Sequence, residues 1–117
     1  VTLKEVREYC KRAYIDDYIM SLPKKYDTVI GEGGINLSGG QKQRLAIART
    51  LMLNTKIILF DEATSALDNE TEAAVMEAIN SFHGKKTMVI IAHRLNTIEK
   101  CDMIYKVDEG QIVETTL

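Results

Sequence analysis

The sequence predicts an α/β chain: a helical N-terminal segment, then a parallel β-α-β unit, then a closing β-hairpin. Three observations carry this. Capping signatures and apolar residues at helical spacing recur through residues 1–53. Two short apolar runs, KIILF (Lys56–Phe60) and TMVIIA (Thr87–Ala92), flank a further amphipathic helix and stop abruptly at polar residues, as parallel strands buried on both faces do. MIYKV, the turn DEG and QIVE then read as an antiparallel hairpin.

Thr2 and Glu5 stand in capping-box relation, and Leu3, Val6, Cys10, Ala13 and Tyr14 follow at helical spacing, so the first element is an amphipathic helix. Asp16 caps a second short helix through DYIMSL, which Pro23 stops. Lys24–Leu37 carries three glycines without a sustained period and reads as loop. A helix then runs from Ser38 to about Leu53, with Leu45, Ala48, Leu51 and Met52 on its buried face. Ser38 and Gln41 form another capping box, yet the two residues between them are Gly39 and Gly40. Each glycine costs about 1 kcal/mol relative to alanine in a helix interior, less in the first turn. Bare backbone there answers a requirement other than helix stability.

Beyond the first strand, NETEAAVMEAINSF is a helix. Asn69 and Glu72 stand at capping-box spacing, Val75, Met76, Ile79 and Phe82 form the apolar face, and Gly84 is the stop. The second strand ends at His93. Strand, helix and strand make a right-handed crossover with a parallel pair. Two parallel strands do not bury both their faces alone, so further sheet partners are expected. The chain divides into a helical part, residues 1–53, and an α/β part, residues 54–117.

With 117 residues the chain has the size of one domain or of a piece of one. Its 45% apolar and 27% charged residues, with one proline, are those of a globular chain without a disorder signature. A net charge of −2 makes no case for nucleic-acid affinity. Cys10 and Cys101 match no metal or redox spacing and read as packing thiols of a reducing compartment. The apolar runs fall far short of the ~20 residues that span a bilayer. The start, VTLKEVREYC, enters a helical pattern directly, without signal peptide or initiating methionine, as a cut chain would.

In open parallel sheets, ligands sit beyond the carboxyl ends of the strands. There one strand presents Asp61 and Glu62, the other His93. A carboxylate so placed suits Mg²⁺, which keeps water and shares its shell with phosphates. The adjacent glutamate can accept a proton from attacking water, and a histidine can donate to a phosphoryl oxygen. Singly, each has a plainer reading: a polar loop start, or a structural histidine. Together they outline phosphoryl transfer.

LSGGQKQRLAIARTL, IILFDEATSALD and VIIAHRLNTI resemble, in order and spacing, the signature, Walker B, D-loop and switch-histidine segments of ATP-binding cassette (ABC) ATPases. The resemblance implies a P-loop NTPase (RecA-like) core with its Walker A half absent from these residues. It implies ATP and Mg²⁺ as ligands, Asp61 as the Mg²⁺-linked carboxylate, Glu62 as general base and His93 as γ-phosphate sensor. Ser38, Gly39, Gly40 and Gln41 would bind ATP held by an opposite cassette, and Ser65–Asp68 would couple the two sites, with Asp68 at the shared nucleotide. The glycines then have their reason, since a helix N-terminus without Cβ atoms lets phosphate approach unpaired N–H groups.

SLPKKYDTVIGEGGINLSGGQ is similar to the stretch before the signature in exporter-type cassettes. There a TxxGExG segment, here Thr28, Gly31, Glu32 and Gly34, touches the transmembrane domains; a glycine-rich surface turn is the plainer reading. Within exporters the chain looks most like the cassette of bacteriocin or peptide exporters. The implied partners are a second cassette, head to tail, and transmembrane domains at the cytoplasmic face of the cell membrane. No nucleic acid and no metal on the isolated chain are expected. GKKT (Gly84–Thr87) lacks the upstream glycine of a phosphate-cradling loop, having Ile79 in its place. Asn96 replaces the serine usual after HRL and suits the same loop or cap role. The isolated chain should therefore be inactive. Two alternatives stay open: a soluble cassette ATPase of chromosome maintenance or DNA repair, and a degenerate, non-catalytic interaction module.

Overall fold

Helix α1 (Leu3–Arg12) opens with the Thr2 hydroxyl accepting from the Glu5 amide at 3.2 Å, in a computed structural model that describes residues 2–82 and 84–116. It closes on Tyr14, whose φ of 60° turns the chain while Ile15 N–H returns to Cys10 O at 2.9 Å. Helix α2 (Asp16–Met20) corrects the cap expected at Asp16. Asp16 is the first helical residue, and its carboxylate accepts from Arg7 Nε at 3.1 Å and from the Tyr26 hydroxyl. A guanidinium outbids an orphan amide for a buried carboxylate. The Arg7 bonds, opposed by burial and helped by Tyr26, hold the Asp16 carboxyl below the usual carboxylate range. This cluster ties α1 to α2 and to the 3-10 turn Lys25–Asp27.

Between that turn and Ser38 the chain is loop, as expected, with an isolated bridge from Ile30 to Ile35. Gly34 is obligatory, because a Cβ there would fall 2.0 Å from Val29 O. Helix α3 (Gly39–Met52) carries the predicted capping box in full, with Gln41 N–H to Ser38 Oγ at 3.2 Å and Ser38 N–H to Gln41 Oε1 at 2.8 Å. Its buried residues are Ile47, Ala48 and Leu51. Leu45 and Met52, expected in the core, are half-buried, because the helix turns Ile47 inward and leaves Leu45 lining an open cleft of about 140 Å³ beside α1 and α2.

Strand β1 (Ile57–Asp61) pairs in parallel with β2 (Thr87–Ile91), in register from Ile57↔Thr87 to Asp61↔Ile91. Only one face is covered. Ile58 and Phe60 are buried, whereas Ile57 and Leu59 are 68% and 61% exposed. The expected burial on both faces is thus not met among the described residues, since all their packing lies on the Ile58–Phe60 side. Helix α4 (Asn69–Asn80) is capped by Asp68, which accepts from Thr71 N–H at 3.3 Å, and not by the expected Asn69. The helix also ends at Asn80, short of Gly84, whose φ of +82° belongs to the turn into β2. Helix α5 (Leu95–Ile98) was not expected. Strands β3 (Ile104–Asp108) and β4 (Gln111–Thr115) form the predicted hairpin, with Glu109 and Gly110 both at positive φ as a two-residue turn demands.

One core joins the two halves of the chain: Cys10, Ile15, Ile47 and Leu51 cluster with Phe60, Leu67, Val75 and Ile79. Both cysteines are free, and burial pushes the Cys10 thiol up. Among the described residues, no helix is long and apolar enough to cross a membrane.

Candidate nucleotide site

The parallel register brings the two polar strand ends side by side. Asp61 faces Ile91 across the ladder, and Glu62 N–H extends it to Ile91 O at 2.8 Å. Glu62 then takes φ +51°, a left-handed conformation that a non-glycine residue adopts only where its surroundings over-determine it. The consequence is a contact between the predicted base and the predicted sensor. His93 Nε2 lies 2.7 Å from Glu62 Oε1, and the two side chains are 87% and 42% exposed. A neutral imidazole donates one N–H to this carboxylate, and a protonated one adds an ion pair. Asp61 is exposed and makes no side-chain hydrogen bond or ion pair among the described residues, where no cluster of three metal-ligating side chains occurs either.

Behind the pair, the loop Ser65–Asp68 is held from two directions. From α3, Gln43 Nε2 donates to Ser65 Oγ at 2.9 Å and to Glu62 O at 3.2 Å, while its Oε1 accepts from Ala66 N–H at 2.8 Å. From the residue after His93, Arg94 Nη2 donates to Ser65 O at 3.1 Å and Leu67 O at 2.9 Å. Asp68 closes the loop as the α4 cap, and the Thr71 bonds keep its carboxyl below the usual range.

Beneath the loop lies a buried carboxylate. Glu72, 1% exposed, accepts through Oε2 from Thr64 Oγ1 at 2.8 Å and Thr97 Oγ1 at 3.0 Å. Arg94 Nη1 stands 3.1 Å from the same oxygen, an ion pair without hydrogen-bond direction, and Glu72 Oε1 is buried without a hydrogen bond. Gln43, Arg94, Thr64 and Thr97 carry no mark of these contacts in the sequence, where Glu72 stands at capping-box spacing from Asn69. The available signal was position: Glu72 stands in helical register with Val75, Met76 and Ile79, so a charge was being carried into the core.

The phosphate-facing candidates sit on the first turn of α3, where Ser38 and Gly39 are exposed. Ser38 and Gln41 are occupied with each other in the capping box. Gly40 has an intramolecular reason for lacking a side chain, because a Cβ would meet Ala66 O at 3.3 Å; at Gly39 the nearest atom would be 3.5 Å away. The Thr28–Gly34 segment is a defined turn, with Thr28 Oγ1 donating to Lys25 O at 2.6 Å and Gly34 N–H to Gly31 O at 2.9 Å. Gly31, Glu32 and Gly34 are exposed on it.

The chain thus joins a capped, glycine-led helix to a loop that starts at paired carboxylates, with a histidine just beyond the end of the neighbouring strand. Residues 3–65 match the family model described as ABC transporter, and the chain belongs to that family. It is 53% identical over 104 residues to an ATP-dependent lipid A-core flippase of Acinetobacter baylyi, covering 89% of this chain and 18% of that protein. It is 51% identical to P-glycoprotein 14 of Caenorhabditis elegans, covering 97% of this chain and 8% of the relative. Among solved structures, a bacterial Atm1-family ABC exporter with ATP bound superposes with a TM-score of 0.88 at 48% identity, over 97% of this chain and 20% of the other. The chain thus spans a fifth or less of these relatives.

Proposed function

We propose that this chain supplies the signature and hydrolytic segments of the ATPase unit of an ABC exporter. The observation that carries the reading is the 2.7 Å contact between Glu62 and His93 at the carboxyl ends of parallel strands. Asp61 fits Mg²⁺: it is an exposed, acceptor-only group at a strand end, and the ion supplies charge neutralisation on phosphate oxygens when bound. Glu62 accepts the proton of the attacking water. His93 holds that carboxylate through Nε2–H and, in its protonated form, offers Nδ1–H toward the phosphoryl group.

The first turn of α3 serves a different nucleotide. Ser38, Gly39, Gly40 and Gln41, with Asp68, face ATP carried by a second cassette in a head-to-tail dimer, where exposed N–H groups and the helix dipole favour phosphate. The helical part, 1–53, presents the α3 turn, and 54–117 carries Asp68 and the hydrolytic pair. The exposed turn with Gly31, Glu32 and Gly34 suits contact with transmembrane domains on the cytoplasmic side of the membrane. Resemblance to exporters across nearly the whole chain supports this assembly.

Glu62→Gln in the full-length protein keeps the shape of the side chain and removes the base. ATP turnover should fall by about 10²–10⁴-fold while ATP-bound dimers persist. Turnover at the wild-type rate contradicts the reading and favours a non-catalytic module.

A further inference from the structure

Gln43 makes contacts that none of the roles above uses. One amide joins three groups: Nε2 donates to Glu62 O at 3.2 Å and Ser65 Oγ at 2.9 Å, and Oε1 accepts from Ala66 N–H at 2.8 Å. Because a backbone carbonyl only accepts and a backbone N–H only donates, this orientation of the amide is the one that satisfies both. The carbonyl it holds belongs to the residue at φ +51°, whose carboxylate meets His93. Gln43 therefore restrains the backbone that aims the hydrolytic side chain. It does so from α3, the helix whose capped first turn, Ser38–Gln41, faces phosphate, and whose Gly40 packs under Ala66 of the same loop.

We propose that Gln43 is a positioning residue, through which the state of the α3 first turn sets the aim of Glu62 in the same chain. The inference rests on the ATPase reading above. A helix transmits a displacement of its N-terminus as a rigid body, so phosphate drawing Ser38–Gln41 forward moves Gln43 with it. The Glu62 carbonyl and the Ala66 amide follow. One cassette's nucleotide thereby adjusts the base that acts on the other.

The bonds of Gln43 to Ser65 and Ala66 lie at the surface, where water takes over when they are lost, so replacing Gln43 should spare the fold. In the full-length protein, Gln43→Ala should lower kcat for ATP by about 10- to 100-fold through misplacement of the base. KM for MgATP should stay within about threefold of wild type, and ATP-driven dimers in a Glu62→Gln background should persist. Gln43→Glu is the discriminating variant, since it keeps an acceptor for Ala66 N–H but sets an oxygen against Glu62 O. It should stay as slow as the alanine variant. Recovery of kcat by Gln43→Glu, or kcat within about twofold of wild type in Gln43→Ala, overturns the proposal. Parallel loss of dimers and kcat also overturns it, because Gln43 would then merely support the phosphate-facing turn. If Gln43→Ala does not accumulate, Ser65→Ala, which removes one of the three bonds, should lower kcat severalfold at constant KM, and full kcat overturns the proposal. A wild-type protein without ATP turnover contradicts the ATPase reading itself and is told apart by that control.

Discussion

Two polar assemblies share the strand ends and differ in almost every physical respect. The outer one, Glu62 with His93, is open to water, with its side chains 42% and 87% exposed. The inner one, Glu72 with Thr64, Thr97 and Arg94, is closed, its carboxylate 1% exposed. Acid–base work on a water molecule needs access, and the outer pair has it. A carboxylate shut in the interior must be matched by donors, and what it returns is geometry. Arg94 is the hinge between the two, adjoining His93 in sequence, meeting Glu72 below, and holding the carbonyls of Ser65 and Leu67. The pair proposed to react is open, and the closed network is tied through Arg94 to the loop behind it.

The largest stability effect should come from breaking the inner assembly. Glu72→Ala leaves two buried hydroxyls without their acceptor and the Arg94 guanidinium without its counter-charge, and should cost about 3–5 kcal/mol in urea unfolding. Glu72→Gln, which keeps the shape and one acceptor, should cost less. A loss under about 1 kcal/mol in the alanine variant would mean that the buried network holds nothing.

A second buried carboxylate sharpens the contrast, because it contacts neither assembly. Asp16 is held by Arg7 and Tyr26, and its carboxyl is depressed below the usual range. A depressed folded-state pKa contributes stability that is complete above the unfolded value of about 3.9 and is lost as pH falls through the folded value. Asp16→Asn should lower stability at neutral pH by about 1–3 kcal/mol, the worth of bonds to a charged group, and should flatten the acid limb of the stability profile. An unchanged acid limb in Asp16→Asn would remove Asp16 as its source.

The outer assembly was legible in the sequence and the inner one was not, for a physical reason. Chemistry concentrates reactive types at strand ends, so Asp61, Glu62 and His93 announce themselves by position, and capping announces the helix starts at Thr2 and Ser38. Partnership across the chain has no such local signature. Asp16 satisfies every local rule for a cap, yet a guanidinium nine residues earlier claims it. Asn69 and Glu72 match a capping box, yet Asp68 caps and Glu72 is drawn into the core by Thr64, Thr97 and Arg94. Periodicity likewise names the buried side of a helix only to within a residue, which is how Ile47 displaced Leu45. Burial of a strand depends on what lies across it. The apolar letters of KIILF promised two covered faces, and Ile57 and Leu59 remain open.

In the proposed assembly the phosphate-facing turn of α3 and the hydrolytic pair serve different nucleotides. Titration calorimetry of MgATP into the pure 117-residue chain tests this directly. The expected result is no saturable heat at millimolar nucleotide, where a site with a Kd of 1 mM is worth about 4.1 kcal/mol. Saturable binding in the micromolar range would contradict it, by showing that these residues form a complete site on their own.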